Sequence, residues 1–172
     1  MLTIPLIRLE HQGSLDIDAA VPSDDPAWEG TDFHFSGSLL VSGQAFWISS
    51  GDVLVRLTLR GVLLQECRRC LAPVDVQVDE RMELFFRPTN GSEELEGDSF
   101  RPLPHGAMEV DLLSAIREEL VLSLPMLALC APDCRGLCPR CGRNLNEERC
   151  ECSAEELDPR WDVLRALNQK RD

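Results

Sequence analysis

The chain has 172 residues, 44% of them hydrophobic, enough for one ordinary core plus a small metal-stabilised appendage. A net charge of −13, from 17 basic and 30 acidic residues, argues against a nonspecific grip on phosphate backbones and for solubility or a basic partner. No apolar run approaches the roughly 18 residues of a membrane span, because LVLSLPMLALC is cut by Pro125. The opening MLTIPLIRLEHQG lacks a basic stretch and is broken by Pro5 and Arg8, so no secretory signal is expected, and a reducing cytoplasm is the expected compartment.

Strands come first. Phe33, Phe35, Leu39 and Val41 alternate through DFHFSGSLLVSG and predict a strand. FWISSGD, rich in turn formers, leads into DVLVRLTLRGVLLQEC, where Val53, Val55, Leu57 and Leu59 share one face. The alternation resumes after Cys70 with Val74, Val76 and Val78, which places Cys67 and Cys70 in the connection between two antiparallel strands. The polar, acidic stretch from about 88 to 108 reads as a loop. Asp111 suits the N-cap of a helix whose Leu112, Leu113, Ile116, Leu120 and Leu124 recur at helical spacing before Pro125. Asp158 and Pro159 suit the start of a second, with Trp161, Leu164 and Leu167 as its apolar stripe. The class is α+β: an antiparallel β-sheet or partly open barrel followed by two helices, with a C-terminal cysteine-rich zinc knuckle. The expected division is a sheet core with one helix over 1–129 and a cysteine-rich region with the last helix over 130–172.

Eight cysteines carry the chemistry. Six lie within CAPDCRGLCPRCGRNLNEERCEC, and the other two form CRRC about 60 residues upstream. Four thiolates make a closed tetrahedral zinc site when two short pairs are each held by a tight turn. CPRCG is such a turn, with Pro139 to stiffen it and Gly142 to let amides approach sulfur. The favoured parsing joins Cys67, Cys70, Cys130 and Cys134 in a long-range site and Cys138, Cys141, Cys150 and Cys152 in a local one. A single zinc with spare buried thiols is an alternative. An iron–sulfur cluster fits less well, because no common ferredoxin spacing is present. A redox CxxC would open a helix, and CRRC lies between strands.

The pairing of CRRCL (Cys67 to Leu71) with CRGLCPRCGRNLN (Cys134 to Asn146), CEC and DPRW (Asp158 to Trp161) resembles the YceD family of large ribosomal RNA subunit accumulation proteins. The resemblance runs from about residue 30 onward. It implies a bacterial cytoplasmic factor in the synthesis, processing or accumulation of large-subunit rRNA, often encoded beside a small zinc-binding ribosomal protein. The family has no established enzyme activity, and variation of its C-terminal cysteines points to a structural metal.

The expected role is therefore a non-enzymatic assembly factor meeting a ribosomal protein or pre-rRNA. Arg68, Arg69, Arg135, Arg140, Arg143 and Arg149 form the candidate contact patch, the first three drawn together by the long-range site. The competing role for these arginines is to offset the charge of Zn(Cys)₄. No stacking platform for single-stranded RNA is evident, since the cysteine regions hold no aromatic residue. Neither a His-Glu motif, a phosphate-binding glycine loop nor a nucleophile elbow occurs, and His11, His34 and His105 are scattered, so no enzyme is expected. A zinc-dependent regulator or metal carrier is the alternative function.

Overall fold

A computed structural model describes residues 2–48, 51–89, 100–104, 106–124 and 127–152. The chain opens with a short strand, β1 (Thr3–Pro5), and a helix, α1 (Leu6–Gln12). That helix stops at Gly13, whose left-handed φ of 74° lets its amide bond back to the Leu9 carbonyl at 2.8 Å. Strand β2 (Ser14–Val21) follows, then a 3₁₀ turn at Pro26–Trp28. Next come β3 (Leu39–Trp47), β4 (Val53–Glu66) and β5 (Pro73–Thr89). Two short strands, β6 (Arg101–Pro104) and β7 (Glu109–Asp111), lead into helix α2 (Leu112–Ser123).

The main sheet has the order β2-β3-β4-β5-β6. Its first four strands form an antiparallel meander, and β6 pairs with β5 in parallel. The sheet is therefore mixed rather than wholly antiparallel. Strand β6 lies within the stretch read as an acidic loop. Sequence pattern hides it because it is four residues long with two prolines, tolerable only at a sheet edge. Arg101 fixes it by pairing with Glu118 and Glu119 of α2. A second, two-stranded sheet joins β1 to β7.

Alternation in β4 holds as expected. Val53, Val55, Leu57 and Leu59 are buried, and Arg56 and Arg60 point out to pair with Glu83 and Asp79 on β5. The strand expected from Phe33 begins only at Leu39. Phe35 makes an isolated bridge to Leu63, and the rings of Trp28, Phe33 and Phe35 cluster at centroid separations of 5.1–6.1 Å. Aromatic packing rather than ladder pairing keeps these side chains inside.

Helix α2 is capped by Asp111, whose carboxylate accepts from the amides of Leu113 and Ser114. It turns Leu112, Leu113, Ile116 and Leu120 into the core. Helix α1 and strand β2 carry no pattern that the sequence reading used, and they pack Leu6, Leu9, Ile17 and Val21 against the same core. The helix expected after Asp158 lies outside the described residues, as does His105.

Candidate metal centres

The sheet delivers the first two cysteines. Strand β4 ends at Glu66 and β5 begins at Pro73, and the six residues between them fold into a tight turn. The Cys67 amide bonds the Ala72 carbonyl at 2.8 Å, and the Leu71 amide bonds back to the Cys67 carbonyl at 2.8 Å. Leu71 holds a left-handed φ of 60°, the one non-glycine residue with positive φ among those described. That conformation costs a side chain about 1–2 kcal/mol.

Three contacts clamp this turn to the segment that follows α2. The Arg68 amide donates to the Ala128 carbonyl at 3.0 Å, and the Leu137 amide donates to the Arg69 carbonyl at 2.9 Å. The Arg69 guanidinium donates to the Cys134 carbonyl at 2.8 Å. Gly136 permits the approach: a Cβ there would stand 2.9 Å from the Arg69 carbonyl oxygen.

This clamp brings Cys67, Cys70, Cys130 and Cys134 together, with all four sulfurs within 4.8 Å of one another. Cys67 Sγ lies 3.8 Å from Cys134 Sγ, and Cys70 Sγ lies 3.5 Å from Cys130 Sγ. These are not disulfides, whose sulfurs bond at about 2.05 Å. A tetrahedron with metal–sulfur arms near 2.3 Å has edges of about 3.8 Å, so the set matches a tetrathiolate centre in donor type and span. Three of the four ligands are buried and only Cys130 is exposed.

The other four cysteines, Cys138, Cys141, Cys150 and Cys152, also place all their sulfurs within 4.8 Å of one another. Their turn repeats the first. The Gly142 amide bonds the Cys138 carbonyl at 2.9 Å, and Gly142 has a φ of 72°, in the place Leu71 holds upstream. This group is the more open, with Cys138 buried and Cys141 and Cys152 exposed.

Electrostatics splits the thiols in each group. Amide donation from Cys130 lowers the Cys67 thiol to about 6, outweighing burial. Burial raises Cys134, but the Asn146 side chain and the Gly136 amide more than offset it, so its net shift is downward. Cys130 is pushed up to about 12, first by its hydrogen bond with Cys134 and next by that with Cys70. Cys70 is also raised: the Ala72 amide pulls it down, but burial and the neighbouring thiols prevail. In the second group the Cys141 and Arg140 amides lower Cys138 to about 6, and hydrogen bonding with Cys141 raises Cys152 to about 11. Thiolates held by amides beside thiols that still carry protons are poised to exchange those protons for a soft cation.

The six arginines separate by what they touch. Arg69 is tied to the Cys134 carbonyl, and Arg143 pairs with Glu148 and bonds the Arg149 carbonyl. The side chains of Arg68, Arg135, Arg140 and Arg149 are exposed and make no hydrogen bond or ion pair among the described residues. Sequence reasoning gave Asn146 no role. Its side-chain amide donates to Cys134 Sγ at 3.3 Å while its oxygen accepts from the Arg135 amide at 2.7 Å. An asparagine a dozen residues beyond a cysteine carries no signal until the loop closes.

The fold and these two cysteine tetrads define an α+β protein with a pair of potential tetrathiolate metal centres. The chain belongs to the family described as large ribosomal RNA subunit accumulation protein YceD, whose profile matches residues 55–168 and so covers both tetrads. An uncharacterized protein of Mycobacterium tuberculosis strain H37Rv is 38% identical over 118 residues, covering 67% of this chain and 55% of the relative. One of Mycobacterium leprae is 32% identical over 117 residues, covering 67% and 52%. The chloroplastic large ribosomal RNA subunit accumulation protein YCED homolog 1 of Arabidopsis thaliana is 34% identical over 67 residues, covering 39% of this chain and 21% of the relative. The chain thus spans about half the length of the mycobacterial relatives it matches. No solved structure gives a significant match. No helix among the described residues is long and apolar enough to cross a membrane.

Proposed function

We propose that this chain is a non-enzymatic factor in the synthesis, processing or accumulation of large-subunit rRNA, presenting a zinc-stabilised surface to a ribosomal protein or pre-rRNA. The family match across both tetrads carries the reading, because it links a ribosomal role named for plant relatives to the segment that holds the cysteines. Zinc is the natural occupant of four thiolates spanning a 3.8 Å edge, and a closed tetrathiolate site leaves no position for a reacting water. Its role is then to fold residues 127–152 against the turn at 67–72, joining a cysteine-rich unit to the sheet core. The contact surface is the set of arginines that the metal centres leave unengaged, Arg68, Arg135 and Arg140 foremost, within a chain acidic enough to suit a basic ribosomal protein.

Replacing Arg68, Arg135 and Arg140 with glutamine, and leaving Arg69 and every cysteine in place, is expected to impair large-subunit rRNA accumulation with zinc content and melting temperature unchanged. Normal accumulation with a normal fold overturns the surface assignment. Pull-down from lysate with and without nuclease then separates a protein partner from an RNA partner. The exposure of Cys141 and Cys152 favours one second reading, a zinc-responsive regulator or carrier that exchanges metal at the outer tetrad. Rapid loss of one zinc of two to a mild chelator would support it, whereas a structural pair resists mild chelation and unfolds when stripped.

A further inference from the structure

The two edges of the main sheet are unlike. Strand β6 closes one with four residues, two of them prolines, so that edge has little left to pair with. Strand β2 closes the other with eight residues, no proline and an unbroken register against β3. The Gly13 carbonyl accepts the Trp47 amide at 2.9 Å, and the antiparallel alternation that follows turns the amides and carbonyls of Leu15, Ile17, Ala19 and Val21 toward β3. Those of Ser14, Asp16, Asp18 and Ala20 face outward. All four residues are exposed, and no other strand pairs with them among the described residues. An open cavity of about 390 Å³ runs along this edge: residues 14–18 line it in succession, as a strand's edge does and a single face does not, and Leu2, Ile4, Arg8 and Gln12 add to its wall.

We infer that the β2 edge takes up an extended segment of a basic partner protein as a sixth strand, one in which lysine or arginine alternates with apolar residues. An unpaired edge of this length is a ready template for another strand, whose main chain supplies affinity while alternate side chains supply the choice of partner. On the outer face the added side chains lie beside Asp16 and Asp18, which favours basic residues and rejects acidic ones. On the core side they meet the cavity wall that holds Leu2 and Ile4, which suits apolar residues. Charge agrees over a wider span. Arg8 is the one basic side chain on the wall, and from Leu9 to Val55 the chain has eight acidic residues and no lysine or arginine. Gln44 of β3 donates to Asp16 at 2.6 Å and steadies it, whereas Asp18 makes no hydrogen bond or ion pair among the described residues. A second copy of the chain fits poorly, because two β2 edges paired antiparallel about Ile17 set Asp16 of each directly against Asp18 of the other. This edge shares no residue with the arginine surface, so either can fail without the other.

The test uses the full-length, zinc-loaded chain at low salt and an eight-residue peptide of alternating lysine and valine. The same peptide with every amide N-methylated and a peptide of alternating glutamate and valine serve as controls. Saturation with the lysine peptide is expected to slow hydrogen exchange of the Asp16, Asp18 and Ala20 amides by about tenfold or more, as new strand pairing does. Asp18→Lys, at an exposed position, should weaken that binding by about tenfold or more with zinc content and melting temperature unchanged. Equal binding of the N-methylated peptide would mean attraction without strand pairing, and equal binding of the glutamate peptide would mean pairing without selection by charge; either overturns the inference. Protection of the same amides that grows with chain concentration in the absence of peptide overturns it in favour of a second copy. No protection of these amides at millimolar lysine peptide overturns it outright.

Discussion

Gly136 and Gly142 form a matched pair for testing how the tetrads are joined to the sheet. Both hold left-handed backbone, φ 77° and 72°, so alanine at either pays a comparable conformational cost of about 1–2 kcal/mol. Their surroundings differ. A Cβ at Gly142 meets nothing within 4 Å, whereas one at Gly136 stands 2.9 Å from the Arg69 carbonyl oxygen and 3.3 Å from the Arg69 Cβ. That carbonyl accepts the Leu137 amide, so relieving the clash lengthens or breaks a hydrogen bond worth about 0.5–1.5 kcal/mol and displaces Cys134 and Cys138 on either side. Gly142→Ala should therefore cost about 1 kcal/mol and Gly136→Ala about 2–3 kcal/mol. For a chain of this size that corresponds to losses of about 2–4 °C and about 4–12 °C in melting temperature. Thermal melts of both zinc-loaded variants, with zinc content measured beforehand, compare them directly. Equal losses would mean that the junction between Arg69 and Leu137 does not support the fold, and the argument for a clamp would fail.

Three further outcomes are expected. Replacing Cys67 and Cys70 together with serine should lower bound zinc from about two per chain to about one; an unchanged ratio in metal analysis rules out the long-range centre. Asn146→Ala removes the donor to Cys134 Sγ and should weaken zinc at that centre by about 10–100-fold in chelator competition, with the outer tetrad unaffected. Zinc binding at the first tetrad near neutral pH should release fewer than four protons, because Cys67, lowered to about 6, is already ionised there while Cys130, pushed up to about 12, still carries its proton. As pH falls through about 6, Cys67 takes up a proton as well and zinc affinity falls more steeply. Calorimetry in buffers of different ionisation enthalpy counts the protons, and a release of four at neutral pH would refute the ordering.

What could be read in advance followed from how local each signal is. Strand β4 was legible because a half-buried strand must alternate, and Val53 to Leu59 do so without interruption. Helix α2 was legible because its cap, its stripe and its stop all fall within the fifteen residues from Asp111 to Pro125. Strand β2 carries the same signal, Leu15, Ile17, Ala19 and Val21 alternating with the exposed Ser14, Asp16, Asp18 and Ala20, though it stands outside the expected sheet. Strand β6 is hidden, since parallel pairing at an edge asks nothing of its sequence beyond a length of four and a place to dock. Phe33 shows the opposite error: alternation signalled burial correctly, but an aromatic cluster satisfied that burial without a ladder.

The two metal turns show why the cysteines were more legible than the residues around them. Ligand spacing is dictated by the reach of sulfur to a shared centre, so CxxC reads the same in CRRC and CPRC. The residue after the second cysteine must turn left-handed for its amide to reach the first cysteine's carbonyl. Gly142 meets this requirement at no steric cost and announces it in sequence, and Leu71 meets it silently, at a cost. Leu71 is 57% exposed, so burial of its side chain does not repay the strain. What holds it is the closure of the turn between strands β4 and β5, with the Cys67 amide bonded to Ala72 on one side and Cys70 drawn to Cys130 on the other. A strained leucine is thus the mark of a turn over-determined by its surroundings, and the tertiary contacts that determine it are the ones that gather the first tetrad.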